Sequence, residues 1–501
     1  MTQAPKPRVI QMNDDSVAFY RYCTTERPTV KALEDMVDIF AKANIDTLTH
    51  CVHCRWQAYY DSKMVEIAGD LTPDAVRPWD AGHYWHWMTS LRQFIADGHD
   101  PVKVIAARCR RHGMRFLPSL RLNDQHGMHP HEGHYGSFRR EHPEWKVTDK
   151  AMDYGVAEVR EHILTVVREL VQCDIDGIDL DFMRWPVYFK KDEVKANTPV
   201  MTAFVRDIRA ILDEAAKQKG RSLLFSVRVP LKIGEGTVLN AHELSPDLEC
   251  LGIGLDVPTW VKEGIVDLVC PMNFFFTDWG AAMVNIHQWH KLTAGTACGL
   301  YPTIHGMAFR DYGPPYISPE SYRGAAYSFY THGADGITLY NLWDNNEVAW
   351  STLTALGTPI ALSTQPRRYH CYLGSLISLS KGERKTVAFY LPEDPKDSST
   401  RATLKFTAAN LTRDHTFEVD INNTPIAAST FHFQRMAPGR SADTEGAPVL
   451  PYSHTVEFPL AETQAIKGKN TLGIRLTEIN TELPTKETIE VGRVEVSFQP
   501  R

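Results

Sequence analysis

Asp174-Ile175-Asp176-Gly177-Ile178-Asp179-Leu180-Asp181-Phe182-Met183-Arg184-Trp185-Pro186 reads as a β-strand that starts dry and ends wet. Ile175, Ile178, Leu180 and Phe182 are apolar, while Asp179 and Asp181 stand two residues apart. The period-two alternation of a strand puts both carboxylates on one face. Two acids on one face, next to Arg184 at the strand end, are costly to bury without a purpose. The purpose they point to is acid/base chemistry.

Working outward, strand-like and helix-like segments alternate from the start of the chain to about residue 360. Residues 16–23 read as a first strand. Residues 30–43 have helical spacing, with Leu33, Met36, Val37, Phe40 and Ala41 on one face. Further strands are expected at 46–54, 115–122, the opening stretch, 223–230, 266–275, 296–304 and 336–343. Helical segments are expected at 101–112, 154–171, 201–217 and 258–263. Eight β/α units in this length point to a (β/α)8 TIM barrel with insertions, residues 1–365. A doubly wound open sheet competes, but no G-x-G-x-x-G follows the first strand.

After about residue 365 the texture changes to short strands at 387–390, 402–408, 416–421, 455–459, 471–476 and 489–498. Turn-rich stretches such as Asn422-Asn423-Thr424-Pro425 separate them. The expectation is a C-terminal β-sandwich, jelly-roll-like, over residues 366–501. It would pack on the barrel or bind carbohydrate. No internal repeat stands out.

The bulk numbers exclude more than they identify. The 501 residues are 43% hydrophobic and 23% charged, ordinary for a globular protein, with net charge −7 and no basic block to suit a nucleic acid. No apolar run approaches the roughly 20 residues that span a bilayer. Residues 1–7 lack the apolar core of a signal peptide, which fits either a cytoplasmic protein or a secreted one whose signal has been removed. Nine scattered Cys argue against a disulfide framework. Cys51-Val52-His53-Cys54 has no second CxxC to complete a zinc site.

The active site of a TIM barrel lies at the C-terminal ends of its strands. That rule yields a residue list: Arg121, Asn123 and Asp124; Asp179, Asp181 and Arg184; Arg228 and, in the following loop, Glu235; Asn273, Asp278 and Trp279; Tyr301 and His305, with Arg310 later; then Tyr340 and Trp343. Each has a bland reading as a helix cap, salt bridge or core residue. Their coincidence at six strand ends is harder to explain that way. Acids, Asn, Tyr and Trp without a nucleophilic Ser or Cys fit glycoside hydrolysis, which needs one acid and one carboxylate nucleophile or base. Asp181, nearer the mouth, takes the acid role, and the deeper Asp179 would raise its pKa by like-charge repulsion. Asp124, Glu235 and Asp278 are candidates for the second carboxylate. Two or more unpaired arginines among Arg121, Arg184, Arg228 and Arg310 would favour a sulfated or uronic sugar. The loop 124–134, with His126 and three further His, leaves a metal-dependent hydrolase as an alternative, although no HExxH is present and no cofactor is expected. A non-catalytic carbohydrate-binding barrel is the other alternative.

The run from Asp176 to Pro186 resembles the DGI-x-LD-x-x-R-[YW]-P signature of glycosyl-hydrolase-like family 10, a group of TIM-barrel glycosidases. Pro143-Glu144-Trp145 and Asp267-Leu268-Val269-Cys270-Pro271-Met272-Asn273 add to the likeness, which covers about residues 15–360. It implies a barrel glycosidase whose shared acid falls on Asp181. The strand is also similar to the DG-x-D-x-D-x-E motif of family 18 chitinases, but Met183 stands where their acid would be.

Overall fold

The computed structural model describes residues 10–15, 29–70, 83–124, 136–149, 151–235, 248–273, 279–306, 318–340, 352–357, 359–371, 377–409, 415–435, 453–479 and 488–501. These divide into two compact units. The first takes the described residues of Met1–Phe274, Asn285–His305 and Gly333–Gly357. The second takes those of Phe275–Val284, Gly306–His332 and Thr358–Arg501.

The first unit is a parallel sheet curled into a TIM-like α/β barrel. Its strands are β1 (Ile10–Asp14), β2 (Thr47–Cys54) with the short antiparallel β3 (Gln57–Ala58), β4 (Arg115–Arg121), β5 (Gly177–Asp181), β6 (Leu224–Pro230), β7 (Leu268–Met272), β8 (Gly299–Leu300), β9 (Thr303–His305) and β10 (Ile337–Tyr340). Pairing runs β8-β7-β6-β5-β4-β2-β1-β10-β9. β8 and β9 are two halves of one stretch, broken at Tyr301-Pro302, where proline offers no N–H to a ladder. β8 pairs with β7 and β9 with β10, so that stretch joins the two ends of the sheet.

Amphipathic helices link the strands. Val30–Lys42 buries Leu33, Met36, Val37 and Phe40, and Thr29 caps it by accepting from Ala32 N–H. Asp100 caps Pro101–Arg111 and Asp256 caps Val257–Lys262, each with proline in the first turn. The first strand is a correction to the sequence reading. It is Ile10–Asp14, where Ile10 and Met12 alternate with Gln11 and Asn13; residues 16–23, where the first strand was expected, lie outside the described residues.

The N-terminal end of the barrel is fastened by a device that recurs at every second strand. Asp46, just before β2, accepts from Ile10 N–H at 2.9 Å. Asp176, just before β5, accepts from Phe116 N–H at 2.9 Å. Asp267 before β7 and Asp335 before β10 do the same to Phe225 and Leu300, at 2.8 and 3.0 Å. Each aspartate also donates its own N–H back to the carbonyl of the residue it clasps. The barrel therefore repeats in pairs of strands, although no repeat is evident in the sequence.

The second unit holds two antiparallel sheets. One is β11 (Arg367–Cys371), β12 (Ile377–Ser380), β14 (Thr400–Ala409), β17 (His432–Arg435), β18 (Ser453–Pro459) and β20 (Thr488–Pro500). The other is β13 (Arg384–Leu391), β15 (Thr416–Ile421), β16 (Thr424–Pro425) and β19 (Gly468–Glu478). The helix Pro319–Thr331 belongs to this unit and packs on β11, with Ser321 Oγ 2.7 Å from His370 Nε2 and Arg323 Nε donating to Pro366 O at 2.7 Å. Among the described residues no helix is long and apolar enough to cross a membrane.

The aspartate clasps make a stability prediction. Asp335→Ala leaves Leu300 N–H without its side-chain acceptor and should cost about 1–3 kcal/mol in urea unfolding, whereas Asp335→Asn, which keeps an acceptor oxygen, should cost less than half of that. An alanine variant as stable as the parent would show that the clasp is incidental.

Candidate active site

Three neighbouring strands place their inward residues in two rows. Ser119, Asp179 and Ser226 lie side by side across β4, β5 and β6. One step nearer the C-terminal ends lie Arg121, Asp181 and Arg228. The residues between, Leu120, Leu180 and Val227, are fully buried on the other face. Barrel interiors are ordinarily filled by branched apolar side chains, so an Arg-Asp-Arg row inside one marks a candidate site.

The upper row is tied into a ring. Arg228 forks Asp181, with Nε 3.1 Å from Oδ1 and Nη2 on Oδ2. Arg121 Nε stands 3.7 Å from the same carboxylate. Met183 N–H donates to Asp181 Oδ1 at 2.9 Å. Arg228 Nη1 donates to Asn13 Oδ1 at 3.1 Å, and its guanidinium lies 3.9 Å from the centre of the Tyr340 ring. Tyr340 Oη donates to Asp15 Oδ2 at 3.2 Å. Arg121 then pairs with Asp15 and, at 2.7 Å, with Asp124. Asp181 and Arg228 are 0% and 1% exposed. Truncating one partner of such a buried pair strands the other.

The acids differ in their surroundings. Burial pushes Asp15 up, but the charges of Arg121, Arg184 and Arg228 outweigh it and hold the carboxyl below its ordinary value. Asp179 is raised to about 6, chiefly by burial, with the Asp181 charge adding to it and Ser119, Arg228 and Ser226 opposing. Ser119 Oγ donates to Asp179 Oδ2 at 2.7 Å. The upward shift on Asp179 follows from its place in the lower row. The reason is that Arg228 takes Asp181 as its partner and leaves the deeper acid with hydroxyls. Beneath lies a polar floor: Gln11 Nε2, Ser226 Oγ and Thr338 Oγ1 surround Cys270 Sγ at 3.6, 3.7 and 3.4 Å.

Of the residues expected at the site, Arg121, Asp124, Asp179, Asp181, Arg228 and Tyr340 come together. Arg184 joins them through its charge, which acts on Asp15 and Tyr340. The His305 ring centre is 5.4 Å from that of Tyr340. Asn123 has a different task. Its amide donates to Val187 O and Met152 O at 2.6 and 3.1 Å and accepts from Met152 N–H at 3.0 Å. Tyr301 packs with Leu268 and Cys270, and its hydroxyl is influenced by Asp335, Arg115 and Asp46, which lie at the opposite end of the barrel. Glu235 is exposed, and its backbone N–H donates to Glu249. Asn273 is half-buried just beyond β7. His126, Asp278, Arg310 and Trp343 lie outside the described residues, as does the side chain of Trp279. Among the described residues, no group of three or more His, Cys, Asp or Glu is arranged to hold a metal ion.

Sequence reasoning missed Asp15, Asn13, Ser119 and Ser226. The signal for the first two was the alternation Ile10-Gln11-Met12-Asn13, which carries the strand directly into Asp14-Asp15. At the same end, His50 Nδ1 lies 2.5 Å from Asp14 Oδ2.

No protein-family model matches the chain, and no curated protein matches its sequence. Solved structures that it is similar to include α-L-fucosidase isoenzyme 2 from Paenibacillus thiaminolyticus, at 13% identity and TM-score 0.41 over 71% of this chain and 49% of that one. A cycloisomaltooligosaccharide glucanotransferase from Paenibacillus sp. aligns at 9% identity and TM-score 0.35 over 98% of this chain and 58% of that one. A glycoside hydrolase family 18 N-acetylglucosaminidase from Paenibacillus barengoltzii aligns at 11% identity and TM-score 0.39 over 70% of this chain and 100% of that one. The chain thus spans about half the length of the fucosidase. At these scores the likenesses carry neither fold nor function, and the fold rests on the strand pairing above.

The state of Asp179 has a thermodynamic consequence. Its folded value of about 6 lies above the ordinary 3.8. Between those pH values the folded chain keeps a proton that the unfolded chain has released, so stability falls as pH rises through the window and stays lower above it. The penalty is about 3 kcal/mol. Asp179→Asn removes it. Chemical denaturation should therefore show the variant gaining on the parent between pH 4 and pH 7, and a stability difference that does not change with pH would contradict this.

Proposed function

We propose that the chain is a glycoside hydrolase that cleaves glycosidic bonds of a polysaccharide or its oligosaccharides with paired carboxylates. One observation carries the reading: Asp15 and Asp179, at the same end of one barrel, are pushed in opposite directions, one below and one above the ordinary carboxyl value. Environments that drive two acids apart divide the roles of acid and base. Asp179 is the acid that holds the proton. Asp181, nearer the strand end, is its outlet to the leaving oxygen. Asp15, kept ionised by Arg121, is the nucleophile or the base for water. The motif likeness to glycosyl-hydrolase-like family 10 supports the same chemistry, and the two antiparallel sheets suit a β-sandwich accessory domain over residues 366–501.

The arginines argue about the substrate. Asp15, Asp124 and Asp181 face Arg121, Arg184 and Arg228, so charge is balanced, and the paired Arg121 and Arg228 are not available to a sulfate or uronate. This favours a neutral sugar beside the acids. The complete pairing of Asp181 also favours a second reading, a carbohydrate-binding barrel without turnover.

Incubation with a panel of neutral, uronic and sulfated oligosaccharides, followed by mass spectrometry, separates these. Hydrolysis predicts shortened products from the parent, at least about a hundredfold less from Asp15→Asn and Asp181→Asn, and unchanged sugar binding by both variants. Its rate should fall as pH rises through about 6, where Asp179 loses its proton. Binding without product, or near-parental turnover by Asp15→Asn, contradicts the mechanism.

A further inference from the structure

We propose that Ser226 is a positioning residue for Asp179, its hydroxyl aimed by the thiol of Cys270 so that the two side chains form one reversible hydrogen-bond relay under the acid. This deepens the acid/base reading of the site and rests on it for its catalytic consequence. Cys270 on β7 is fully buried, yet its sulfur is met by polar side chains from three other strands. Gln11 Nε2 on β1 donates to it at 3.6 Å, and Thr338 Oγ1 on β10 at 3.4 Å. Ser226 Oγ on β6 stands 3.7 Å away, and there either atom can be the donor. A cysteine used only for packing behaves as a small hydrophobe. This one is a junction.

A thiol suits a junction because it is both a weak donor and a weak acceptor. An amide N–H only donates, so Gln11 Nε2 cannot take the thiol hydrogen. The Thr338 hydroxyl directs its own hydrogen to the sulfur or to Tyr301 O, which is 3.2 Å away. Ser226 is the partner left to accept from Cys270. A serine that accepts there has its hydrogen free for a second neighbour, and its neighbour in the row is Asp179.

Asp179 has a place for that hydrogen. Ser119 donates to Oδ2 at 2.7 Å, whereas Oδ1, equally buried, has no donor in bonding geometry among the described residues. Ser226 is close enough to pull the carboxyl down against burial. Its hydroxyl therefore stands between an acid and a thiol. With Asp179 ionised, Cys270 donates to Ser226 and Ser226 donates to Asp179. With Asp179 neutral, the carboxyl hydrogen on Oδ1 donates to Ser226, which turns its own toward the sulfur. No proton changes owner along the relay; only the direction of the bonds reverses. The bond to an ionised carboxylate is the stronger one, so the relay favours the ionised form and limits what burial does. Asp181 and Arg228 face the same carboxyl, and Cys51 lies beyond Ser119 on β2. The variants below leave all three in place.

Carbon-13 NMR of the full chain tests this, with the Asp179 signal identified by its loss in Asp179→Asn. Ser226→Ala should raise the Asp179 midpoint by about one pH unit, because the ionised form loses the stronger bond. Cys270→Ala should raise it by about half as much. Cys270→Ser, which keeps a donor and an acceptor, should leave it near the parent's. Should Cys270→Ala fail to fold, Cys270→Val gives the same reading. In infrared spectra the S–H stretching band of Cys270, identified by its loss in Cys270→Ser, should shift with the same midpoint as the carboxyl. An unmoved midpoint in either alanine variant, or a Cys270 band indifferent to pH through the Asp179 titration, overturns the relay. With the oligosaccharide panel, the fall in hydrolysis at high pH should move up with the midpoint. Raised midpoints with no product from the parent overturn hydrolysis and leave the relay standing. Product from the parent with unmoved midpoints does the reverse.

Discussion

Asp181 and Arg228 meet where neither reaches water. Their attraction has to offset the loss of hydration of both, and such pairs seldom add net stability. The pair therefore has to be completed by neighbours, and the interior of this barrel is arranged to do so. Arg121 stands beside the carboxylate, Asn13 takes another guanidinium N–H, Tyr340 covers the guanidinium face, and Asp15 links Tyr340 back to Arg121. The ring uses residues from β1, β4, β5, β6 and β10, so closure of the sheet and completion of the charge network depend on each other.

The proton on Asp179 follows from the same arrangement. With Asp181 claimed by Arg228, the next carboxyl down the strand has Ser119 as its donor and no direct guanidinium fork. Burial then favours its neutral form, and the charge just above favours it further. The two ends of the barrel divide the work. At the N-terminal end, four aspartates clasp backbone N–H groups and hold strands in pairs. Toward the C-terminal end, the buried Asp179 is placed where its ionised form costs stability.

The alternation of strand and helix was legible because period two and period 3.6 are local properties of the chain. The common face of Asp179 and Asp181 was legible for the same reason. Long-range register was not. That Arg228 stands directly beside Asp181, with 46 residues between them in sequence, is settled by the pairing of β5 with β6. Asp15 was lost because the first strand was placed a few residues late. Tyr301 was assigned to the wrong end because the break at Pro302 is a tertiary outcome. The aspartate clasps escaped notice because helices and loops of unequal length separate them. Even so, Asp176-Gly177-Ile178 and Asp335-Gly336-Ile337 spell the same start of a strand twice.

The most direct test of this account is the titration of the Asp179 carboxyl itself. Carbon-13 NMR of the aspartate carboxyls, with the Asp179 signal identified by its loss in Asp179→Asn, reports that proton without reference to substrate. A midpoint near 6 is the expected result. A midpoint near the ordinary 3.8 would mean that Asp179 is ionised beneath Asp181 throughout the neutral range, and the proposed division between acid and base would fall with it.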